Sequence, residues 1–143
     1  MSWHRFPRRH GFDLYINVMA KILIVDDNTD ACESLAVFFR KAGHEVVSAP
    51  NGREALMQVL ASPPKVILLD LVLPEMDGPS FLEVIRSYLR IGSLPVVVLT
   101  GLDDSPMIDR VQSLKVNSVL HKGKAAPDDI LKALEEALVR HPG

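Results

Sequence analysis

The sequence predicts an α/β fold: a doubly wound, five-stranded parallel sheet with helices on both faces. Three observations predict it. From residue 20 onward, five short β-branched runs alternate with longer stretches of helical period. Strands separated by helices are parallel, because each needs a crossover to return to the same edge of the sheet. The first, third and fourth runs are apolar at consecutive positions, the pattern of strands covered on both faces. The connections between runs are short, which leaves no second domain among them.

Each element has its own signal. Ala20-Lys-Ile-Leu-Ile-Val25 is an apolar run after its lysine. Thr29 to Lys41 is helical, with Ala31, Leu35, Phe38, Phe39 and Ala42 on one face, Asn28 or Thr29 as cap and Gly43 as stop. Glu45 to Ala49 is the second strand. Asn51 then caps a helix running to about Ala61, with Glu54 in the capping-box position. Pro63-Pro64 break the chain before the strand Lys65-Val-Ile-Leu-Leu-Asp70, and a helix is expected from about Asp77 to Leu89. Leu94 to Leu99 is the fourth strand. Ser105-Pro106 open the next helix, since proline suits the first helical position. Asn117 to His121 forms a short fifth strand, and Pro127 starts the last helix with Asp128 and Asp129 against its positive end.

Composition narrows the function. The chain has 143 residues, 48% of them hydrophobic, enough for one packed domain. Lys+Arg 16 against Asp+Glu 18 gives a formal charge of −2, which argues against a dedicated nucleic-acid binder. The single cysteine, Cys32, excludes an intrachain disulfide framework and fits a reducing, cytoplasmic setting. No run approaches the roughly 18 apolar residues of a membrane span. Residues 1–18 differ from the rest, with Arg5, Arg8 and Arg9 against Asp13. They are expected to be a leader, disordered or arising from an upstream start, with Met19 as the alternative initiator.

In an open parallel sheet, ligands bind beyond the carboxyl ends of the strands. The first strand delivers Asp26 and Asp27 there, the third Asp70, the fourth Thr100 and the fifth His121 and Lys122. Any one of these is more often a cap or a solvated side chain. Their joint placement on four strands is not a chance pattern. Clustered carboxylates repel one another and are relieved by protonation or by a hard divalent cation such as Mg²⁺. An acidic Mg²⁺ pocket beside an ammonium and a hydroxyl is equipped for phosphoryl transfer, with an aspartate able to serve as nucleophile. His121 is expected to point away from the pocket, because alternation along the strand opposes it to Lys122. Cys32 and the Met107, Ile108, Val111 and Leu114 stripe are expected to be packing residues.

The segments Ile22-Leu-Ile-Val-Asp-Asp-Asn28, Asp70-Leu-Val-Leu-Pro-Glu-Met-Asp-Gly78 and Val97-Val-Leu-Thr-Gly101, followed by Lys122, resemble the receiver domain of two-component response regulators. The resemblance covers about residues 20–140 and implies the flavodoxin-like receiver fold for residues 19–143. It implies that Asp70 is the phosphoacceptor, taking a phosphoryl group from a sensor histidine kinase or phosphotransfer protein. It further implies Asp27 as direct Mg²⁺ ligand, Asp26 acting largely through water, Asp70 and the Val72 carbonyl completing the metal site, Thr100 as the switch hydroxyl and Lys122 as the phosphoryl partner. Two positions depart from the family. Val119 stands where an aromatic is usual, and Gly123 follows Lys122 in place of proline. Val72 and Leu102 take positions that border the path of hydrolytic water, so a long-lived phosphorylated state is expected. The expected protein is a stand-alone switch, not an enzyme on a diffusible substrate. It would signal to an effector protein without a DNA-binding output domain, nucleic acid or membrane. The alternatives are a phosphorylation-independent scaffold and an aspartyl-phosphate phosphatase.

Overall fold

The computed structural model describes residues 3–9, 12–17 and 19–139. From Met19 onward it holds β3 (Lys21–Val25), α1 (Thr29–Lys41), β4 (Glu45–Ala49), α2 (Gly52–Ala61), β5 (Val66–Leu69), α3 (Gly78–Ser87), β6 (Val96–Thr100), α4 (Pro106–Ser113), β7 (Ser118–His121) and α5 (Pro127–Val139). The five strands pair in parallel in the order β4-β3-β5-β6-β7. This is the predicted doubly wound sheet.

Ahead of it, β1 (Trp3–Arg9) and β2 (Phe12–Asn17) pair antiparallel as a sheet of their own. The sequence leads one to expect a leader over residues 1–18, disordered or arising from an upstream start; the backbone pairs two strands within it. The period was present, since Phe12, Leu14 and Ile16 alternate with more polar neighbours. The register shifts between Phe6 and Arg9, where Pro7 has no N–H for the ladder.

Alternation along the central strands builds two cores. Leu23 and Val25 face α2, α3 and α4 with Ile67, Leu69, Val96 and Val98, around the fully buried Phe81. Ile22 and Ile24 face α1 and α5 with Val66, Leu68 and Val97, around Phe39. Burying each such side chain contributes about 1.5–3 kcal/mol, which makes the three inner strands a rigid platform. Cys32 packs into the second core, Val111 into the first, and Met107, Ile108 and Leu114 lie partly buried against the first.

Caps set where the chain enters its helices. Asn28 Oδ1 accepts from Ala31 N–H, Asn51 Oδ1 from Glu54 N–H, Asp77 Oδ1 from Ser80 N–H, and Ser105 Oγ from Met107 N–H. Gly43 ends the first helix segment at φ 99°, a left-handed conformation suited to glycine. The third helix stops at Ser87 and not at the expected Leu89. Arg86 accounts for the tight turn that follows. Its Nη1 donates to the carbonyls of Gly92 (3.0 Å) and Leu94 (2.8 Å), its Nε to Leu114 (2.8 Å) and its Nη2 to Lys115 (3.2 Å). The fifth strand begins at Ser118 because Asn117 Oδ1 accepts from Val96 N–H.

Candidate functional site

Strand order reverses between β3 and β5, and the carboxyl ends of these two strands open the crevice where open α/β sheets bind ligands. Asp26 and Asp27 follow β3 directly, and Asp70 follows β5. One carboxylate oxygen from each of the three lies within 4.8 Å of the others. Asp26 and Asp70 are buried and Asp27 is exposed. Lys122, just past β7, places Nζ 2.9 Å from Asp26 Oδ2 and 2.9 Å from Asp70 Oδ2.

The remaining oxygens of the two buried acids are held by the main chain. Asp26 Oδ1 accepts from Asn28 N–H at 2.9 Å and Asp70 Oδ1 from Leu71 N–H at 2.8 Å. Cys32 Sγ donates to the Asp26 carbonyl at 3.4 Å. Burial, and then the Asp26 charge, push that thiol up to about 11, so it stays protonated. These supports were not foreseen from the sequence, because a backbone N–H carries no residue-type signal.

Burial raises the Asp70 carboxyl above its ordinary range, against the opposing pull of the Lys122 hydrogen bond. Burial also works against the Lys122 ammonium, but hydrogen bonds to Asp70 and Asp26 outweigh it and hold the amine above its usual value. One ammonium therefore faces three carboxylates, and the cluster is short of positive charge.

The other predicted residues fall at the same edge. Thr100 ends β6 at 1% exposure, and its Oγ1 accepts from Leu102 N–H at 3.1 Å. Its hydroxyl is thus engaged by its own loop. Val72 is 55% exposed beside Asp70, whereas Leu102 leans partly into the core. His121 stays out of the acid cluster, as alternation requires, with Nε2 3.0 Å from Asp103 Oδ1. Val119 packs against the first core.

The loop from Leu71 to Asp77 is held at two glycines. Gly78 N–H donates to the Leu71 carbonyl at 2.9 Å and Gly52 N–H to the Met76 carbonyl at 2.9 Å. A Cβ at Gly52 would lie 2.3 Å from the Met76 carbonyl oxygen, so no side chain fits there.

An all-oxygen donor set of three carboxylates, short of positive charge, fits a hard dication that retains water, such as Mg²⁺.

The response regulator receiver domain model matches residues 22–135. The chain belongs to that family. Among relatives, it is 35% identical to the transcriptional regulatory protein GltR of Pseudomonas aeruginosa over 122 residues, which cover 83% of this chain and 48% of GltR. It is 32% identical to the transcriptional regulatory protein KdpE of Mycobacterium tuberculosis over 124 residues, 86% of this chain and 53% of KdpE. The chain thus spans about half the length of these relatives. Among solved structures, the chemotaxis response regulator CheY4 of Vibrio cholerae superimposes with a TM-score of 0.76 at 28% identity, covering 84% of this chain and 99% of CheY4. A receiver domain is a signalling module that works with histidine kinases or phosphotransfer proteins. No helix among the described residues is long and apolar enough to cross a membrane.

Proposed function

We propose that this receiver domain is a phosphorylation-dependent switch in which Asp70 accepts a phosphoryl group from a phosphohistidine of a sensor kinase or phosphotransfer protein. The observation that carries the reading is the placement of Lys122 Nζ at 2.9 Å from Asp70 Oδ2, inside the cluster that also holds Asp26 and Asp27.

An oxygen of Asp70 attacks phosphorus as the phosphorus–nitrogen bond of the donor breaks, and the electron pair stays on the imidazole, which takes a proton. An acyl phosphate on Asp70 results. Leu71 N–H fixes one Asp70 oxygen, so the other is presented toward Lys122. In this reading Lys122, which bonds Asp70, meets the incoming phosphoryl oxygens, and Thr100 offers them its hydroxyl. Asp26, Asp27, Asp70 and the Val72 carbonyl would hold Mg²⁺, which when bound supplies positive charge against the equatorial oxygens. The added charge of about −1.5 to −2 then biases the surface that an effector protein reads.

The exposed Val72 offers no polar group to orient water beside Asp70, which supports a long-lived phosphorylated state. A phosphatase would need an acid–base carboxylate at that position. Incubation with Mg²⁺ and a small phosphodonor, followed by intact mass measurement, tests the switch. One added phosphoryl group, absent in Asp70→Asn, is the expected result. No adduct points to a phosphorylation-independent scaffold, and steady phosphate release to a phosphatase.

A further inference from the structure

His121 lies outside the acid cluster, yet its ring is held. Gly123 N–H donates to His121 Nδ1 at 2.9 Å. Nδ1 is therefore the acceptor nitrogen, and the proton of the neutral ring sits on Nε2. Nε2 is buried and lies 3.0 Å from Asp103 Oδ1, but out of line, so it makes no hydrogen bond among the described residues. A buried donor this close to an acceptor forms or loses a bond on a small shift of either partner.

Gly123 suits this arrangement twice over. A Cβ there would lie 3.2 Å from both Cε1 and Nδ1 of the ring, and a proline would lack the N–H that orients it.

One partner adjoins the acid site and the other lies on the loop that follows Thr100. His121 precedes Lys122, whose Nζ bonds Asp70 Oδ2. Asp103 follows Thr100 by three residues, on the loop whose Leu102 N–H is bound by Thr100 Oγ1. Thr100 pairs with His121 across the sheet, and the Thr100 carbonyl accepts from Lys122 N–H at 2.9 Å. A path thus runs from Asp70 through Lys122 and its neighbour His121 to Asp103, on the loop that Thr100 holds.

We propose that His121 is a positioning residue that couples the Lys122 strand end to the β6–α4 loop through Asp103, so that the charge state of Asp70 is transmitted to that loop. The proposal rests on the switch reading above. New negative charge at Asp70 draws the Lys122 ammonium away from Asp26 and offers the Thr100 hydroxyl a new partner. The first displaces the His121 side of the contact and the second the Asp103 side. Val119, on the same strand, has no side-chain polar atom to carry such a change and packs, partly buried, against the first core.

The test uses the full chain labelled with ¹⁵N-histidine, observed by NMR with and without Mg²⁺ and beryllofluoride, alongside intact mass after phosphodonor treatment. In the resting protein His121 should carry its proton on Nε2. Beryllofluoride should shift His121 Nε2 together with the Leu102, Asp103 and Met107 amides. Asp103→Ala, at an exposed loop position, should take up phosphoryl group as the parent does yet lose at least two-fold of the Met107 shift, with Asp103→Asn restoring part of it. Gly123→Pro should lose the fixed tautomer. Parent-sized shifts in Asp103→Ala, or a resting proton on Nδ1, would overturn the coupling alone. A parent that gains no phosphoryl group would overturn the coupling and the switch reading together.

Discussion

A Cβ added at Gly78 would lie 2.5 Å from the carbonyl oxygen of Asp70, and 2.7 Å from the Leu71 Cα. The first turn of α3 therefore packs directly on the main chain of the acid it helps to place. Both obstructing atoms are backbone and cannot swing aside. Gly78→Ala should destabilise the protein by about 1–3 kcal/mol, the usual cost of overpacking. It should also slow phosphoryl uptake at Asp70 relative to parent at a temperature where both remain folded. Thermal denaturation and timed mass measurements read the two effects separately.

The shortage of positive charge in the acid cluster predicts that added Mg²⁺ stabilises the fold. At a concentration a hundred times its dissociation constant, the gain is about 2.7 kcal/mol. Melting temperature should therefore climb with Mg²⁺ in the parent and stay nearly flat in Asp27→Asn. Chelation should reverse the gain.

Asp70 also carries a pH signature. Burial holds its folded-state carboxyl above the unfolded value. Such an acid favours the folded state below the unfolded pKa, and that contribution is lost as pH rises through the folded pKa. Without metal, Asp70→Asn should thus be more stable than parent at neutral pH. The difference should shrink on acidification and vanish below the ordinary carboxylate range. Denaturant melts across pH give the answer, and a variant less stable than parent at neutral pH contradicts it.

Lifetime of the acyl phosphate should respond to Val72. Val72→Asn places a polar group at the exposed rim beside Asp70, where it can orient water. The loss of added mass over time should quicken several-fold. Leu102→Glu should act in the same direction, with some loss of stability because Leu102 leans into the core. Unchanged decay in both would show that these positions do not govern water access.

The sheet and the acid cluster were legible because their signals are short-range. A strand rich in Val, Ile and Leu that ends in Asp or Thr declares both its direction and what it carries to the rim, as at Val25-Asp26-Asp27 and Leu69-Asp70. Long-range partnerships were not legible. Nothing in the identity of Leu71 or Asn28 announces that their N–H groups fasten the two buried acids. The contact between His121 and Asp103 depends on ring rotation fixed by a glycine two residues on. The pairing of β1 with β2 is faint in the sequence, where Arg5, Arg8, Arg9 and Asp13 overshadow the alternation of Phe12, Leu14 and Ile16. The third helix was read two residues too long, since Tyr88 and Leu89 continue its pattern while Arg86 binds carbonyls beyond it.

That guanidinium has a mechanical consequence. By clasping Leu94 ahead of β6 and both Leu114 and Lys115 after α4, Arg86 bolts the trailing end of α4 to the rigid floor of the molecule. The leading end is held differently: Ser105 Oγ accepts from Met107 N–H, and Met107 and Ile108 pack against the first core. The start of β6 and the end of α4 thereby share one anchor.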